Sequence, residues 1–120
     1  YHGEWDFNLD YKPIQGYKVN LGWIAAIYYS QKKLQSGLDI SCPVLLMYSS
    51  KSVTPGNYNE SMQTADAVLN VADISKYADV IGKQVKKVEI TDGVHDLVLS
   101  KPKVREIVFN EMTDFVENIQ

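Results

Sequence analysis

Apolar residues in the first half of the chain follow two different patterns. Residues 20–37, NLGWIAAIYYSQKKLQSG, repeat apolar side chains at helical spacing and therefore predict a helix. Asn20 can accept hydrogen bonds from its first turn, and Gly37 can end it in the left-handed conformation. Residues 44–48 are instead a continuous apolar run. Such a run is typical of a strand covered on both faces, as in a parallel sheet.

The second half of the chain continues the alternation of helix and strand. Residues 73–82 predict a helix that Asp73 caps and Gly82 ends, and residues 85–90, VKKVEI, predict a second strand. The buried face of the helix is expected to consist of Ile74, Tyr77, Ala78 and Ile81.

A third helix is predicted to begin after Ser100 and to run to the C-terminus. Ser100 can cap it, and Pro102 is tolerated in its first turn. Its apolar stripe, which must dock on a sheet or another helix, consists of Val104, Ile107, Val108, Met112, Phe115, Val116 and Ile119. The order helix, strand, helix, strand, helix over residues 20–120 predicts an α/β fold with parallel strands and right-handed crossovers.

The sheet that these elements predict is incomplete. Two strands alone make a poor sheet, so we expect a missing N-terminal part or a partner chain to supply more. The chain begins with Tyr1 rather than Met, which favours a piece of a longer protein. Residues 1–19 lack a clean period and are rich in aromatic side chains, among them Trp5 and Tyr17. We expect them to form a loop that packs against another part of the protein.

Composition excludes several classes of protein. The 120 residues fit one domain, and the net charge of −3 without a basic patch favours neither nucleic acid nor an anionic membrane surface. The single cysteine, Cys42, excludes an internal disulfide framework, and we expect it to be a buried small apolar residue. No apolar run approaches the roughly 20 residues of a transmembrane helix, and no signal-peptide pattern opens the chain. A cytoplasmic protein is expected.

Polar residues follow both predicted strands, where the sites of α/β proteins gather. Residues 91–100, which follow the second strand, contain His95, and residues 49–73, which follow the first, contain Asp66 and Asp73. A carboxylate that accepts from one imidazole nitrogen fixes the tautomer and leaves the other nitrogen free as a base. These residue types at neighbouring strand ends would supply two members of a hydrolytic triad.

Four segments carry a resemblance to a known family: PVLLMYSS, the acidic loop, VKKVEITDGVHDLVLS and the amphipathic helix after it. Together they resemble the C-terminal half of an α/β hydrolase of the lysophospholipase, monoacylglycerol lipase and serine aminopeptidase-like group. Residues 1–19 resemble the exit from the cap region of such an enzyme. The resemblance implies that residues 1–120 form part of a three-layer αβα fold, with two parallel strands and about three helices.

The resemblance also implies roles for individual residues. His95 matches the catalytic histidine of the family. The family's acid usually follows the preceding strand in a Gly-x-x-Asp pattern, but this chain has SSKS there, with Ser52 at the place of the acid. An insertion before Asp66 would reconcile the two patterns, so Asp66 is the expected acid and Asp73 the alternative. Asp96 is expected to bond backbone amides rather than to orient the neighbouring imidazole.

The activity that the resemblance implies is that of a serine hydrolase acting on carboxylic esters, such as monoacylglycerols or lysophospholipids. The nucleophile elbow Gly-x-Ser-x-Gly does not occur in these 120 residues, and in this fold the serine precedes the acid and the histidine. The segment alone is therefore expected to be inactive. No cofactor or metal is expected. The alternatives are a thioesterase or acyltransferase of the same fold, or a non-catalytic binding or scaffold module, which Ser52 would favour.

Overall fold

Two parallel strands lie at the centre of the protein, whose computed structural model describes residues 6–54 and 56–119. The principal elements are, in chain order, α1 (Leu21–Gln35), β1 (Val44–Ser49), α2 (Val71–Ala78), β2 (Val85–Ile90) and α3 (Pro102–Glu117). Short 3₁₀ helices lie at Glu60–Gln63 and Leu97–Leu99. The predicted order of helices and strands is confirmed, and the fold is mixed α/β.

The strands pair in parallel over their whole length. Val44 lies opposite Val85 at one end, and Ser49 lies opposite Ile90 at the other. Because the pairing has no offset, both strands end at the same edge of the sheet. The loops that follow them therefore start side by side.

Helix α2 covers one face of this sheet. The Tyr48 hydroxyl on β1 lies 3.2 Å from Ser75 Oγ on α2, and the Lys87 ammonium on β2 lies 2.7 Å from an Asp79 carboxylate oxygen at the end of α2. Ala78 is the one residue within α2 that is buried. Of the other residues predicted for its buried face, Ile81 is also buried, and Ile74 and Tyr77 are half-buried.

Helix α3 covers the opposite face. Its buried residues Val104 and Val108 pack with Ile90 of β2 and with Leu97, and an ion pair joins Lys86 to the helix. Lys87 of β2 contacts α2, whereas its sequence neighbours Lys86 and Val88 lie on the side of α3. The sheet therefore lies between helices on both sides. The rest of the predicted stripe is less buried than expected: Phe115 is half-buried, and Ile107, Met112, Val116 and Ile119 are exposed.

Helix α1 begins and ends as predicted. The Asn20 side chain accepts from the amide of Trp23 at 2.8 Å, and Gly37 has φ of 95°, a conformation that suits glycine. No residue of α1 is buried. Residues 6–19 are exposed apart from a half-buried Pro13, and their packing against another part of the protein stays a prediction. Trp5 lies outside the described residues.

Both later helices begin differently from the prediction. Asn70, not Asp73, caps α2, since its side chain accepts from the amide of Ala72 at 3.0 Å, and Asp73 lies within the first turn. Pro102 is the first residue of α3, but Ser100 does not cap it. Ser100 Oγ instead accepts from the amide of Val94 in the preceding loop.

Gly82 does not end α2, which stops at Ala78. It forms an isolated parallel bridge with Ile40, where a Cβ at position 82 would lie 2.8 Å from the Ile40 carbonyl oxygen. The glycine is therefore needed for a close approach of two backbones. Cys42, predicted to be buried, is exposed. Among the described residues, no helix is long and apolar enough to span a membrane.

The packing of α3 gives a direct test of where the core lies. Val108 is 0% exposed and Val116 is 68% exposed on the same helix. Val108→Ala should lower the free energy of unfolding by about 2 kcal/mol, because it removes buried methyl groups and leaves a cavity. Val116→Ala gains the same helix propensity and should change stability by less than about 0.5 kcal/mol. Urea unfolding measures both, and equal effects would contradict the described core.

Candidate functional site

The loops that follow the two strands are joined from their first residues. The amide of Ser50, just after β1, donates to the carbonyl of Ile90 at the end of β2, at 3.0 Å. One loop runs from there to α2 and carries Asp66. The other runs to α3 and carries His95. The parallel pairing thus places the predicted acid and the predicted base on adjacent loops.

The backbone of Asp66 is held by a short continuation of strand pairing beyond β1. An isolated parallel bridge joins Ser52 and Asp66. The Asp66 amide donates to the carbonyl of Lys51 at 2.9 Å, and its carbonyl accepts from the amide of Val53 at 2.8 Å. Ser52 and Asp66, which thirteen residues separate in sequence, therefore become neighbours in space.

Both carboxylate oxygens of Asp66 are engaged. Oδ1 accepts from the amides of Val68 and Leu69, each at 2.8 Å. Oδ2 lies 2.9 Å from Nδ1 of His95. The residue is only 2% exposed, and these three contacts replace the water that an ionised carboxylate would otherwise bind.

The hydrogen bonds determine the charge of Asp66. Burial by itself raises the pKa of the carboxyl group, but the bond from His95 and the amides of Leu69 and Val68 lower it. The net effect is a pKa below the ordinary value. Asp66 is therefore ionised at neutral pH and can only accept, so His95 Nδ1 carries the proton of their hydrogen bond.

The rest of the His95 ring is accessible. Its side chain is 43% exposed, and Nε2 makes no hydrogen bond within the described residues. The ring borders an open groove of about 460 Å³. Apart from His95 and Asp96, the groove is lined by Leu45, Leu46, Met47, Leu97, Val98 and Met112. An imidazole with one nitrogen bound to a carboxylate and the other nitrogen free can take up and release a proton at the free nitrogen.

Two buried serines fix the backbone next to His95. Ser49 Oγ, at the end of β1, donates to the carbonyl of Gly93 at 2.7 Å. Ser100 Oγ accepts from the amide of Val94 at 3.1 Å. The two hydroxyl groups hold consecutive residues just before His95, so the imidazole is presented by an anchored segment.

Close packing adds to this anchoring at Gly93. A Cβ at this position would lie 2.6 Å from Leu97 Cδ2 and 3.2 Å from the Ile90 carbonyl oxygen. Asp92, just before it, has φ of 58°, in the left-handed region that is uncommon for residues other than glycine. The turn out of β2 is therefore tightly constrained.

The structure brings together Asp66 and His95, but not the other acidic residues near them. Asp73 is exposed in the first turn of α2, and within the described chain it makes no hydrogen bond with His95. Asp96 was expected to bond backbone amides. It is exposed, and its side chain makes no capping bond to the 3₁₀ helix that follows.

The roles of the serine hydroxyls could not be predicted from sequence. The sequence marks Ser52 only as the residue at the place of the family's acid, and it predicts Ser100 as a helix cap. Small polar residues at a strand end are the sole signal, and they do not indicate which backbone group they bind. The described residues contain no group of three or more His, Cys, Asp or Glu side chains that could hold a metal ion.

The charge of Asp66 predicts how stability depends on pH. Because its pKa is lowered in the folded protein, its contribution is present above the unfolded value of about 3.9 and is lost as pH falls through the folded value. Asp66→Asn should cost about 2 kcal/mol at pH 7 and flatten this acid-induced loss. Urea unfolding between pH 7 and pH 2 measures the effect. Asp73→Asn, an exposed control on α2, should show the same dependence of unfolding free energy on pH as the native protein. An unchanged dependence in Asp66→Asn would contradict the ionised state assigned to Asp66.

The anchoring of the His95 loop can be tested at Ser100. Ser100→Ala removes the acceptor of the Val94 amide and should lower the free energy of unfolding by about 1–2 kcal/mol. Hydrogen exchange of that amide, measured by NMR, should accelerate relative to amides of β1. Ser30→Ala, at an exposed position of α1, is the control. Unchanged protection at Val94 would show that the hydroxyl does not hold the loop.

Comparison of the chain with models of protein families, with the curated proteins and with the solved structures found no match. The interpretation of the site accordingly depends on its own geometry. That geometry is a buried, ionised carboxylate bonded to one nitrogen of an accessible imidazole.

Proposed function

We propose that this chain is the C-terminal part of a serine hydrolase with the α/β-hydrolase fold, and that it supplies the acid and the base of a Ser-His-Asp triad. His95 is the base and Asp66 is the acid. The observation that carries the proposal is the 2.9 Å contact between Asp66 Oδ2 and His95 Nδ1, combined with the exposure of the imidazole.

The proposed chemistry is transfer of an acyl group to water. A serine hydroxyl attacks an ester carbonyl, and His95 Nε2 accepts its proton and then delivers it to the leaving alcohol. In the second half-reaction the same nitrogen takes a proton from water and returns it to the serine. Asp66 remains ionised throughout and stabilises the imidazolium that forms at each step.

The unequal burial of the pair supports catalysis over a purely structural ion pair. Burying a carboxylate is costly, and here the cost is offset by three hydrogen-bond donors. Here Asp66 is 2% exposed, whereas the side chain of His95 is 43% exposed. The acid is thus rigid and desolvated, and the base remains within reach of a reacting group.

The groove beside His95 supports an apolar substrate. Its lining is aliphatic or thioether apart from the histidine and Asp96. Such a surface suits the acyl chain of a monoacylglycerol or lysophospholipid, since burial of each methylene is favourable by about 0.8 kcal/mol. No metal or cofactor is required by this chemistry.

The nucleophile is proposed to come from outside these residues. Three serines of the strand-end loops are already engaged with backbone groups: Ser49 with Gly93, Ser52 with Leu69, and Ser100 with Val94. The same upstream segment or partner chain would extend the sheet, because each strand has one neighbour within the described chain. It would also supply the oxyanion hole.

Labelling and kinetics of the full-length protein test the proposal. A fluorophosphonate probe should label a serine outside residues 1–120, and the protein should hydrolyse p-nitrophenyl esters. His95→Gln and Asp66→Asn should each lower kcat/KM by about 10⁴-fold, as loss of a triad member does. Asp73→Asn is the matched control, since Asp73 is exposed on α2 outside the groove and should leave kcat/KM within about twofold.

The outcomes separate the proposal from its rivals. Retained hydrolysis in His95→Gln would reject the mechanism. Failure of the full-length protein to label would favour a non-catalytic module. Preference for a thioester, or for an alcohol rather than water as the acceptor, would change the reaction class but leave the triad in place. The 120-residue chain alone should show no turnover.

A further inference from the structure

Ser52 occupies the place at which the sequence resemblance led us to expect the acid. In the structure it faces the acid instead, as the bridge partner of Asp66. We infer that Ser52 is a positioning residue, whose hydroxyl holds the turn that binds the Asp66 carboxylate and thereby aims that carboxylate at His95. The role in catalysis rests on the proposed function, but the geometric effect can be measured without turnover.

The hydroxyl of Ser52 makes two hydrogen bonds of opposite sense. Oγ donates to the carbonyl oxygen of Leu69 at 2.9 Å and accepts from the amide of Val71 at 2.8 Å. The two partners lie on either side of Asn70, which caps α2. One side chain therefore fastens both the end of the Asp66 turn and the first residue of the helix.

Leu69 transmits this constraint to the carboxylate. Its carbonyl accepts from Ser52, and its amide donates to Asp66 Oδ1 at 2.8 Å. The amide of Val68 donates to the same oxygen at 2.8 Å. Because the orientation of the peptide units around Leu69 is limited by Ser52, the direction from which Oδ1 is held is limited as well. Fixing Oδ1 leaves Oδ2 aimed at Nδ1 of His95.

The backbone on both sides of Ser52 holds Asp66 directly. The carbonyl of Lys51 accepts from the Asp66 amide at 2.9 Å, and the amide of Val53 donates to the Asp66 carbonyl at 2.8 Å. The main chain thus fixes the Cα position of the acid, and the hydroxyl fixes the turn that binds its side chain. These two restraints act from one short segment.

The chemistry required at position 52 is that of a hydroxyl group. It must donate to one backbone group and accept from another, as serine and threonine can. An ionised aspartate could accept from the Val71 amide but could not donate to the Leu69 carbonyl. Alanine and valine could do neither. Threonine should therefore be tolerated, and the other three should not.

A purely structural role, in which Ser52 only stabilises the start of α2, predicts a different result. Loss of a helix-terminal hydrogen bond would lower stability but leave the Asp66 carboxyl group and the imidazole unchanged. NMR of the full-length protein, selectively labelled at aspartate and histidine, separates the two roles. The ¹³Cγ signal of Asp66 reports its titration, and the ¹⁵N signals of the His95 ring report which nitrogen carries the proton.

In Ser52→Ala and Ser52→Val, the titration midpoint of Asp66 should rise by on the order of half a pH unit, because its amide donors are no longer held. The His95 ring, protonated at Nδ1 in the native chain, should become a mixture of tautomers. Ser52→Thr should restore both signals, whereas Ser52→Val, which has the same shape without the hydroxyl, should not. Ser36→Ala is the control, since Ser36 Oγ also bonds a backbone carbonyl, at 2.8 Å, at an exposed position.

An unchanged Asp66 midpoint and an unchanged tautomer in folded Ser52→Ala or Ser52→Val would overturn the inference. It would also be overturned if Ser52→Thr behaved like Ser52→Val. Circular dichroism identifies any variant that has lost its fold, and the shape-matched Thr and Val pair keeps the comparison within folded proteins. The NMR signals need no nucleophile, so they can support the positioning role even where the His95→Gln kinetics reject the hydrolase. Equally, the kinetics can support the hydrolase where the NMR signals reject the positioning role.

Discussion

The parallel pairing of β1 with β2 is the constraint on which the rest of the site depends. Zero offset between Ser49 and Ile90 makes both strands end together, and the amide of Ser50 continues the ladder to Ile90. Two loops begin at that edge. The end of β1 is also joined to the second loop, because Ser49 Oγ donates to the carbonyl of Gly93. A shift of one residue would exchange the faces that α2 and α3 cover, so packing of the helices and geometry of the loops reinforce the same register.

A second constraint is the buried charge of Asp66. An isolated carboxylate at 2% exposure would cost several kcal/mol, so its burial is possible only with donors in place. Two donors are local, from Val68 and Leu69, and the third is His95 on the other loop. The acid therefore connects two segments whose mutual position the strands alone determine only approximately. The lowered pKa is the electrostatic consequence of the same contacts.

The sequence was informative where the signal is local or repeats along the chain. The strands and α1 follow from hydrophobic pattern. The places of the acidic residues and the histidine after neighbouring strands indicated that an acid of the first loop could meet His95, but the choice of Asp66 over Asp73 came from the family resemblance. Helix starts were harder, because Asn70 and Asp73 are both good caps and lie three residues apart. Ser100 also has the composition of a cap, but its hydroxyl is used by Val94, a contact that depends on how the loop folds. Local propensity does not indicate which of two available backbone partners a hydroxyl will choose.

The serine hydroxyl groups explain how one site combines a rigid acid with an accessible base. Ser49 and Ser100 hold the backbone before His95 and so limit the motion of the imidazole without covering it. Ser52 acts on the opposite side of the pair, where it binds the turn around Asp66. An exposed side chain ordinarily loses orientation to conformational entropy, and anchoring its backbone reduces that loss while Nε2 stays accessible. The same bonding engages each of these hydroxyl groups with the protein itself. In the proposed reaction, the nucleophile is therefore none of these three hydroxyl groups, and it would meet an acid and a base already aligned.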